Sequence, residues 1–292
     1  MEFFFSQVLS GIASGTIYAC LALAVVMIYQ AIHHLNFAQG ELAVFSTYLA
    51  WQMLEAGLPY WVVFVLVVLL SFALGWLLQM VVMRPFHKAP MLSNIVVFIA
   101  LFTIFNSLSG FIWGYDIKQF PSPFGFGALV GNLGISRHQA AMMAISAIIL
   151  GMLWAFFRFT RIGLAMRGAV SNPTSSGLVG VNVMAVTALG WGTASAIGAV
   201  SGLLVAPIVF LEPNMMLSIL VYAFAGAVVG GLTSPGGAVL GGFIVGIVES
   251  LIATYVPVIG AELKLPIALA LIIVVLLFQP AGLFGRRDIQ RV

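Results

Sequence analysis

The sequence predicts an all-α integral membrane protein, a polytopic helical bundle of about 8–9 transmembrane segments whose shorter members are broken or re-entrant. Three observations predict it. Of 292 residues, 62% are hydrophobic and 7% charged, whereas a soluble domain carries about a quarter charged residues. The apolar residues gather into runs at about 8–30, 41–55, 60–83, 92–114, 138–157, 186–210, 216–232, 237–256 and 265–280. No run shows the alternation of a barrel strand, so each must close its backbone hydrogen bonds within itself, because lipid offers none. The whole of residues 1–292 reads as a single transmembrane domain, with too little chain outside the runs for a soluble one.

The first run follows Glu2, and no Lys or Arg precedes Arg84, which argues against a cleaved signal peptide. Gly11 and Gly15 within it form a small-xxx-small face suited to close helix packing. Cys20, the only cysteine, permits neither an internal disulfide nor a CxxC metal site. A polar interruption then separates the first and second runs: His33, His34, Asn36, Gln39, Gly40 and Glu41. As a cytoplasmic turn this segment is solvated and Asn36 caps the next helix. If it dips inward, each polar group needs a partner, and Glu41, with Glu249 in the eighth run, becomes a functional candidate.

The second and seventh runs, 15 and 17 residues long, barely cross a hydrocarbon core at ~1.5 Å per residue. They are the segments expected to be tilted, broken or re-entrant. The stretches 36–55 and 214–232 hold corresponding places in the two halves of the chain, the arrangement an inverted repeat would give. Two connections are long, at about 115–137 and about 160–185. In the second, Asn172 is a good N-cap, Pro173 suits the first helical position and Gly180 can end the helix, which predicts a short helix lying along the membrane face. A glycine-rich block covers 226–246, with Gly226/Gly230 and Gly237/Gly241 at four-residue spacing. Inside it, Ser234, Pro235, Gly236 and Gly237 predict a turn between the seventh and eighth runs.

Charge sets the orientation. When the nine runs alternate, Arg84, Lys88, Arg158, Arg161, Arg167, Arg286, Arg287 and Arg291, eight of the eleven basic residues, fall on one side. Short loops rich in Lys and Arg stay cytoplasmic, so the C-terminus and the 160–185 loop are expected inside. The N-terminus and the 115–137 loop, with Glu2, Glu55, Asp116, Glu212 and Glu262, are expected in the periplasm. Basic residues so dispersed make no phosphate-tracking stripe, and no nucleic-acid partner is expected. No GxxxxGK, GxSxG or HExxH pattern occurs, so no catalytic or metal site is expected in this chain.

GIASGTIYACLALAVVMIYQ followed by LNFAQGE resembles the opening of the branched-chain amino-acid ABC transporter permeases of the LivH type. RIGLAMRGAVSNPTSSGLVGVN is similar to that family's coupling segment, VVGGLTSPGGAVLGGFIVGIVES to its glycine-rich block and QPAGLFGRRDIQRV to its terminus. Four motifs in order span essentially the whole chain. The resemblance implies a homologous second permease of the LivM type, two cytoplasmic ATPase subunits that hold ATP and Mg, and a periplasmic substrate-binding protein, with no cofactor in this chain. It implies coupling to the ATPases through Gly163, Arg167, Asn172, Pro173 and Gly180, and a substrate pathway near Asn36, Gln39, Gly40, Glu41 and Glu249 in an inner-membrane importer. Two positions depart from the family pattern: Gln39 stands where His is common, and 174–176 replace a more acidic, alanine-rich stretch. Relatives of this kind also import urea, amides and aromatic carboxylates. A channel or ion-coupled secondary transporter, supported by Glu41 and Glu249, and a membrane scaffold, supported by the GxxxG faces, remain the readings from other classes.

Overall fold

A helix forms wherever the chain is apolar for long enough, because inside lipid the peptide group has no other partner. The computed structural model describes residues 2–32, 35–129, 135–256 and 263–285. Within them the nine apolar runs become α1 (Glu2–Ile32), α2 (Gln39–Glu55), α3 (Tyr60–Leu78), α4 (Met91–Trp113), α5 (Arg137–Phe159), α8 (Val183–Val209), α9 (Leu217–Gly230), α10 (Pro235–Tyr255) and α11 (Lys264–Phe278). Two short helices, α6 (Arg161–Ser171) and α7 (Pro173–Leu178), fill the long second connection. Among the described residues no strand forms, only isolated bridges such as Lys118 to Leu211. The chain is an all-α polytopic membrane protein. Among the described residues six helices have the length and apolar character to cross, and α9 and α11 are shorter. At 17 and 14 residues, α2 and α9 are short for a crossing, as their sequences imply.

Local chemistry sets the ends. Ser136 Oγ accepts from the Gln139 amide at 3.1 Å while Gln139 Oε1 accepts from the Ser136 amide at 3.0 Å, a capping box that starts α5. Asn182 Oδ1 accepts from Ala185 N at 3.1 Å and starts α8. α3 runs on through a π turn, Gln79–Met83, into a 3-10 turn, Arg84–Lys88, where Pro85 has no amide to continue the ladder. The SPGG tetrapeptide is not the turn its composition predicts. Ser234 is the N-cap, accepting from Gly237 N at 3.1 Å, and Pro235 is the first residue of α10. The bend lies just before it, at Gly231, whose φ of +107° suits glycine. His33, His34, Glu262, Arg286, Arg287 and Arg291, which entered the polar-interruption and orientation arguments, lie outside the described residues.

The chain divides into two compact units. One comprises Met1–Val26, Ser122–Ser146 and Ser218–Val292, so the first helix joins α9, α10 and α11. Its helices meet backbone to backbone through glycine: a Cβ on Gly11 would stand 2.8 Å from Ile247 Cα, one on Gly246 would stand 2.5 Å from Gly15 Cα, and one on Gly226 2.7 Å from Gly242 Cα. The QPAGLFG segment closes this unit. Leu283 N donates to Val229 O at 2.8 Å and Phe284 N to Gly230 O at 3.0 Å, satisfying carbonyls that the end of α9 would leave bare.

The other unit, Met27–Pro121 with Ala147–Leu217, packs α2, α3 and α4 with α8. α8 lies chiefly along α3 and also along α2. Here small residues meet side chains as well as backbone. A Cβ on Gly75 would approach Ser195 Cβ and Trp191 O to 2.6 Å, and one on Gly198 would meet Gln39 Nε2 at 2.9 Å. Ser71 Oγ, on α3, donates to Ser46 Oγ, on α2, at 2.7 Å, and the Trp191 ring lies over Phe98 with centroids 6.1 Å apart. Leu69 on α3, Phe111 on α4 and Trp154 on α5 are exposed, as side chains that meet lipid must be.

Candidate functional site

The polar interruption dips inward. Asn36, Gln39, Gly40 and Glu41 are all buried on the approach to α2 and in its first turn. Asn36 does not cap the helix. Its Oδ1 accepts from Ala38 N at 3.0 Å, an Asx turn two residues on, while Ala38 itself occupies the N-cap with no side-chain bond. Gln39 Nε2 donates to Ala194 O of α8 at 2.7 Å, pinning the start of α2 where Gly198 leaves room for it. Asn36 Nδ2 and Gln39 Oε1 are buried without a hydrogen-bond partner.

Glu41, 1% exposed, sits one turn into α2. Asn106 Nδ2, on α4, donates to Glu41 Oε2 at 3.2 Å, and also stands 3.3 Å from Pro213 O and 3.1 Å from Asn214 Oδ1. The segment between α8 and α9 thus reaches the same point as α2 and α4. It is shaped for that by Phe210, the one non-glycine among the described residues at positive φ, +65°, and by the Lys118–Leu211 bridge that holds it against the loop after α4. Stacking of Tyr48 on Trp113, centroids 5.0 Å apart, and a bond from Trp113 Nε1 to Gln52 Oε1 at 3.1 Å fix α2 against α4 beyond it.

Glu249 belongs to the other unit. Tyr18 OH donates to Glu249 Oε2 at 2.7 Å, with the Tyr222 ring 5.0 Å from that of Tyr18. Sequence reading missed Asn106, Asn214 and Tyr18. Asn106 left a signal, a polar residue in the middle of an apolar run, but nothing local ties it to a carboxylate 65 positions earlier.

The five residues expected to couple form the α6–α7 pair and its exit. Thr160, also missed, caps α6, its Oγ1 accepting from Gly163 N at 2.9 Å. At Gly163 any side chain would strike Phe157 Cα at 2.7 Å, so the chain folds back tightly from α5. Arg167 is exposed. Asn172 ends α6 and starts α7, its Oδ1 accepting from Ser175 N at 2.9 Å, and Pro173 is the first residue of α7. Gly180, at φ +88°, turns the chain away after Leu178. Met166 and Ala169 face a cleft of about 120 Å³ that Met27, Val186 and Gly190 also line. The tip of α7 is bare: Leu178 is 85% and Val179 80% exposed. Among the described residues no group of His, Cys, Asp and Glu could hold a metal ion.

Apolar helices that bury amides and carboxylates among themselves, and a capped helix pair presented outside them, fit the class of membrane permeases. A family model described as "Branched-chain amino acid transport system / permease component" matches residues 7–276, and the chain belongs to that family. It is 28% identical to the "High-affinity branched-chain amino acid transport system permease protein LivH" of Escherichia coli (strain K12), covering 99% of this chain and 98% of that protein. It is 27% identical, with the same coverage, to the corresponding permease protein BraD of Pseudomonas aeruginosa. Identity is 28% with a "Probable branched-chain amino acid transport permease protein LivH" of Methanocaldococcus jannaschii, over 91% of this chain and 87% of that one. Among solved structures, a chain of "PsaBC from Streptococcus pneumoniae in complex with Fab" is similar with a TM-score of 0.47 and 11% identity, covering 93% of this chain and 88% of that one.

Proposed function

We propose that this chain is the permease subunit of an ATP-driven importer of branched-chain amino acids, working by alternating access in the inner membrane with its N-terminus in the periplasm and its C-terminus in the cytoplasm. A homologous second permease completes the pathway, two ATPase subunits dock from the cytoplasm and bind ATP and Mg, and a periplasmic binding protein delivers the solute. Asn36, Gln39, Gly40 and Glu41 belong to the substrate pathway, whereas Glu249, expected there from the sequence, is held by Tyr18 in the other unit and serves as a support. Gly163, Arg167, Asn172, Pro173 and Gly180 shape the coupling element.

The observation that carries this reading is the α6–α7 pair. Two helices capped independently by Thr160 and Asn172 are stiff, and a stiff pair ending in bare Leu178 and Val179 is suited to insert into a partner's groove. Ser175, exposed on α7, gives the test. In the assembled importer, Ser175→Cys should crosslink to an ATPase subunit, and leucine uptake into proteoliposomes should require both permeases, the ATPases, the binding protein and ATP. Uptake by the purified chain alone without ATP would establish a channel or secondary transporter instead.

A further inference from the structure

We propose that Glu41 is the counter-charge for the ammonium group of the translocated amino acid, which reaches it past Asn214 and Asn106. The proposal rests on the permease reading and names the part of the solute that this site holds.

A carboxylate hidden among membrane helices is costly unless it meets a cation or several donors. Glu41 meets one neutral amide, Asn106, at 3.2 Å. None of the four helices packed in this unit, α2, α3, α4 and α8, contains a Lys, Arg or His. Lys118, which bridges to Leu211, stands over the Trp51 ring at 4.6 Å, and among the described residues no cation bonds Glu41.

A side-chain amide nitrogen carries two hydrogens. Three acceptors, Glu41 Oε2, Pro213 O and Asn214 Oδ1, lie within 3.3 Å of Asn106 Nδ2. Asn106 Nδ2 alone therefore cannot serve all three acceptors. An ammonium brings three donors and a positive charge, and removes both deficits. The solute's carboxylate would be repelled from the same point.

Access is graded. Asn214 is exposed, Asn106 half-buried and Glu41 buried, so a hydrogen-bonded line leads from the surface of the unit to the charge. Glu249 shows what a carboxylate with a built-in donor looks like, with the Tyr18 hydroxyl at 2.7 Å.

The test uses the complete importer, with partner permease, ATPases and binding protein, in proteoliposomes. Glu41→Gln keeps the shape and one acceptor oxygen for Asn106 but not the charge. It is expected to cut ATP-driven leucine uptake at least tenfold while ATP hydrolysis stimulated by the binding protein persists, and adding Asn106→Asp to it should restore part of the uptake. A merely structural Glu41 predicts uptake within twofold of wild type for Glu41→Gln, and that result, or no rescue by Asn106→Asp, overturns the proposal.

A second measurement is independent of how the variant folds. The wild-type complex without binding protein is heated with isoamylamine, which has leucine's side chain and ammonium but no carboxylate, or with 4-methylpentanoate, which has the carboxylate but no ammonium. Protection by the amine alone is expected, and equal protection by both or by neither overturns the proposal. If the wild-type importer accumulates no leucine, the permease reading itself fails, whatever the variants do.

Discussion

Among the described residues the two units each bury one carboxylate, and they do so by opposite means. In the unit of α1, α9, α10 and α11, glycine lets backbones touch, and Glu249 receives a phenolic hydroxyl across the α1–α10 contact. In the unit of α2, α3, α4 and α8, helices are joined by side chains, and Glu41 receives an amide already crowded by two other acceptors. The first arrangement is finished by the protein itself, as a structural support should be. The second sets one amide nitrogen against three acceptors and is reached by a segment, 210–216, that belongs to no helix. On the proposed reading, polar side chains that hold a bundle together and polar side chains that meet a solute differ in how complete their partners are.

The strongest way to break this contrast is to put a side chain into the glycine seam. Gly246→Val would drive branched carbons into Gly15, whose Cα would lie 2.5 Å from the new Cβ, and only backbone is there to give way. We expect a loss of more than ~3 kcal/mol, above the usual cost of overpacking because no rotamer relieves it. Thermal unfolding of the purified chain in detergent, with monodispersity by size exclusion, measures it. A folded variant with wild-type stability would mean that α1 and α10 are not held by this contact.

Next in size is Tyr18→Phe, which keeps the ring against Tyr222 and removes only the donor to Glu249. A buried acceptor deprived of one hydrogen bond costs about 1–3 kcal/mol. The same detergent melt reads it, and uptake per folded complex should stay within twofold of wild type. A selective loss of uptake without loss of stability would move Glu249 into the same functional category as Glu41.

The two units also differ in how much of them can be read from sequence. Wherever burial acts over a whole segment, the pattern is legible: each of the nine apolar runs coincides with a helix, and the residues expected to shape α7, Asn172, Pro173 and Gly180, stand at its start and exit. These are local effects, set within a few residues. The pairings that complete the site are not local. Tyr18 and Glu249 are 231 positions apart, and Asn106 and Asn214 are 108 apart, so nothing in either neighbourhood announces the other. SPGG misleads for a local reason: Ser-Pro followed by Gly suits a helix start as well as a turn, and the positive-φ glycine that makes the bend is Gly231, three residues earlier than Ser234.

A smaller effect is expected at the coupling pair. Asn172→Ala removes the cap on α7, worth about 1 kcal/mol, and does so on an exposed surface where nothing compensates. Amide exchange over 173–178 should accelerate several-fold. In the assembled importer, ATP hydrolysis should persist while leucine transported per ATP falls. An unchanged transport ratio alongside faster exchange would show that α7 need not be stiff to transmit the ATPase movement.

The smallest expected effect tests whether glycine matters only where a neighbour demands it. Gly151 lies within α5, exposed, with nothing within 4 Å of the position its Cβ would take. Gly151→Ala should therefore gain up to about 1 kcal/mol from helix propensity alone, in contrast to the loss at Gly246. The isolated chain and the assembled importer need not agree on this. α5 turns exposed Ile148, Met152 and Trp154 outward, and a partner helix seated against them would make use of the space beside Gly151. Stabilisation of the isolated chain together with weakened association of the two permeases would locate their contact on α5, whereas stabilisation of both would leave that face to lipid.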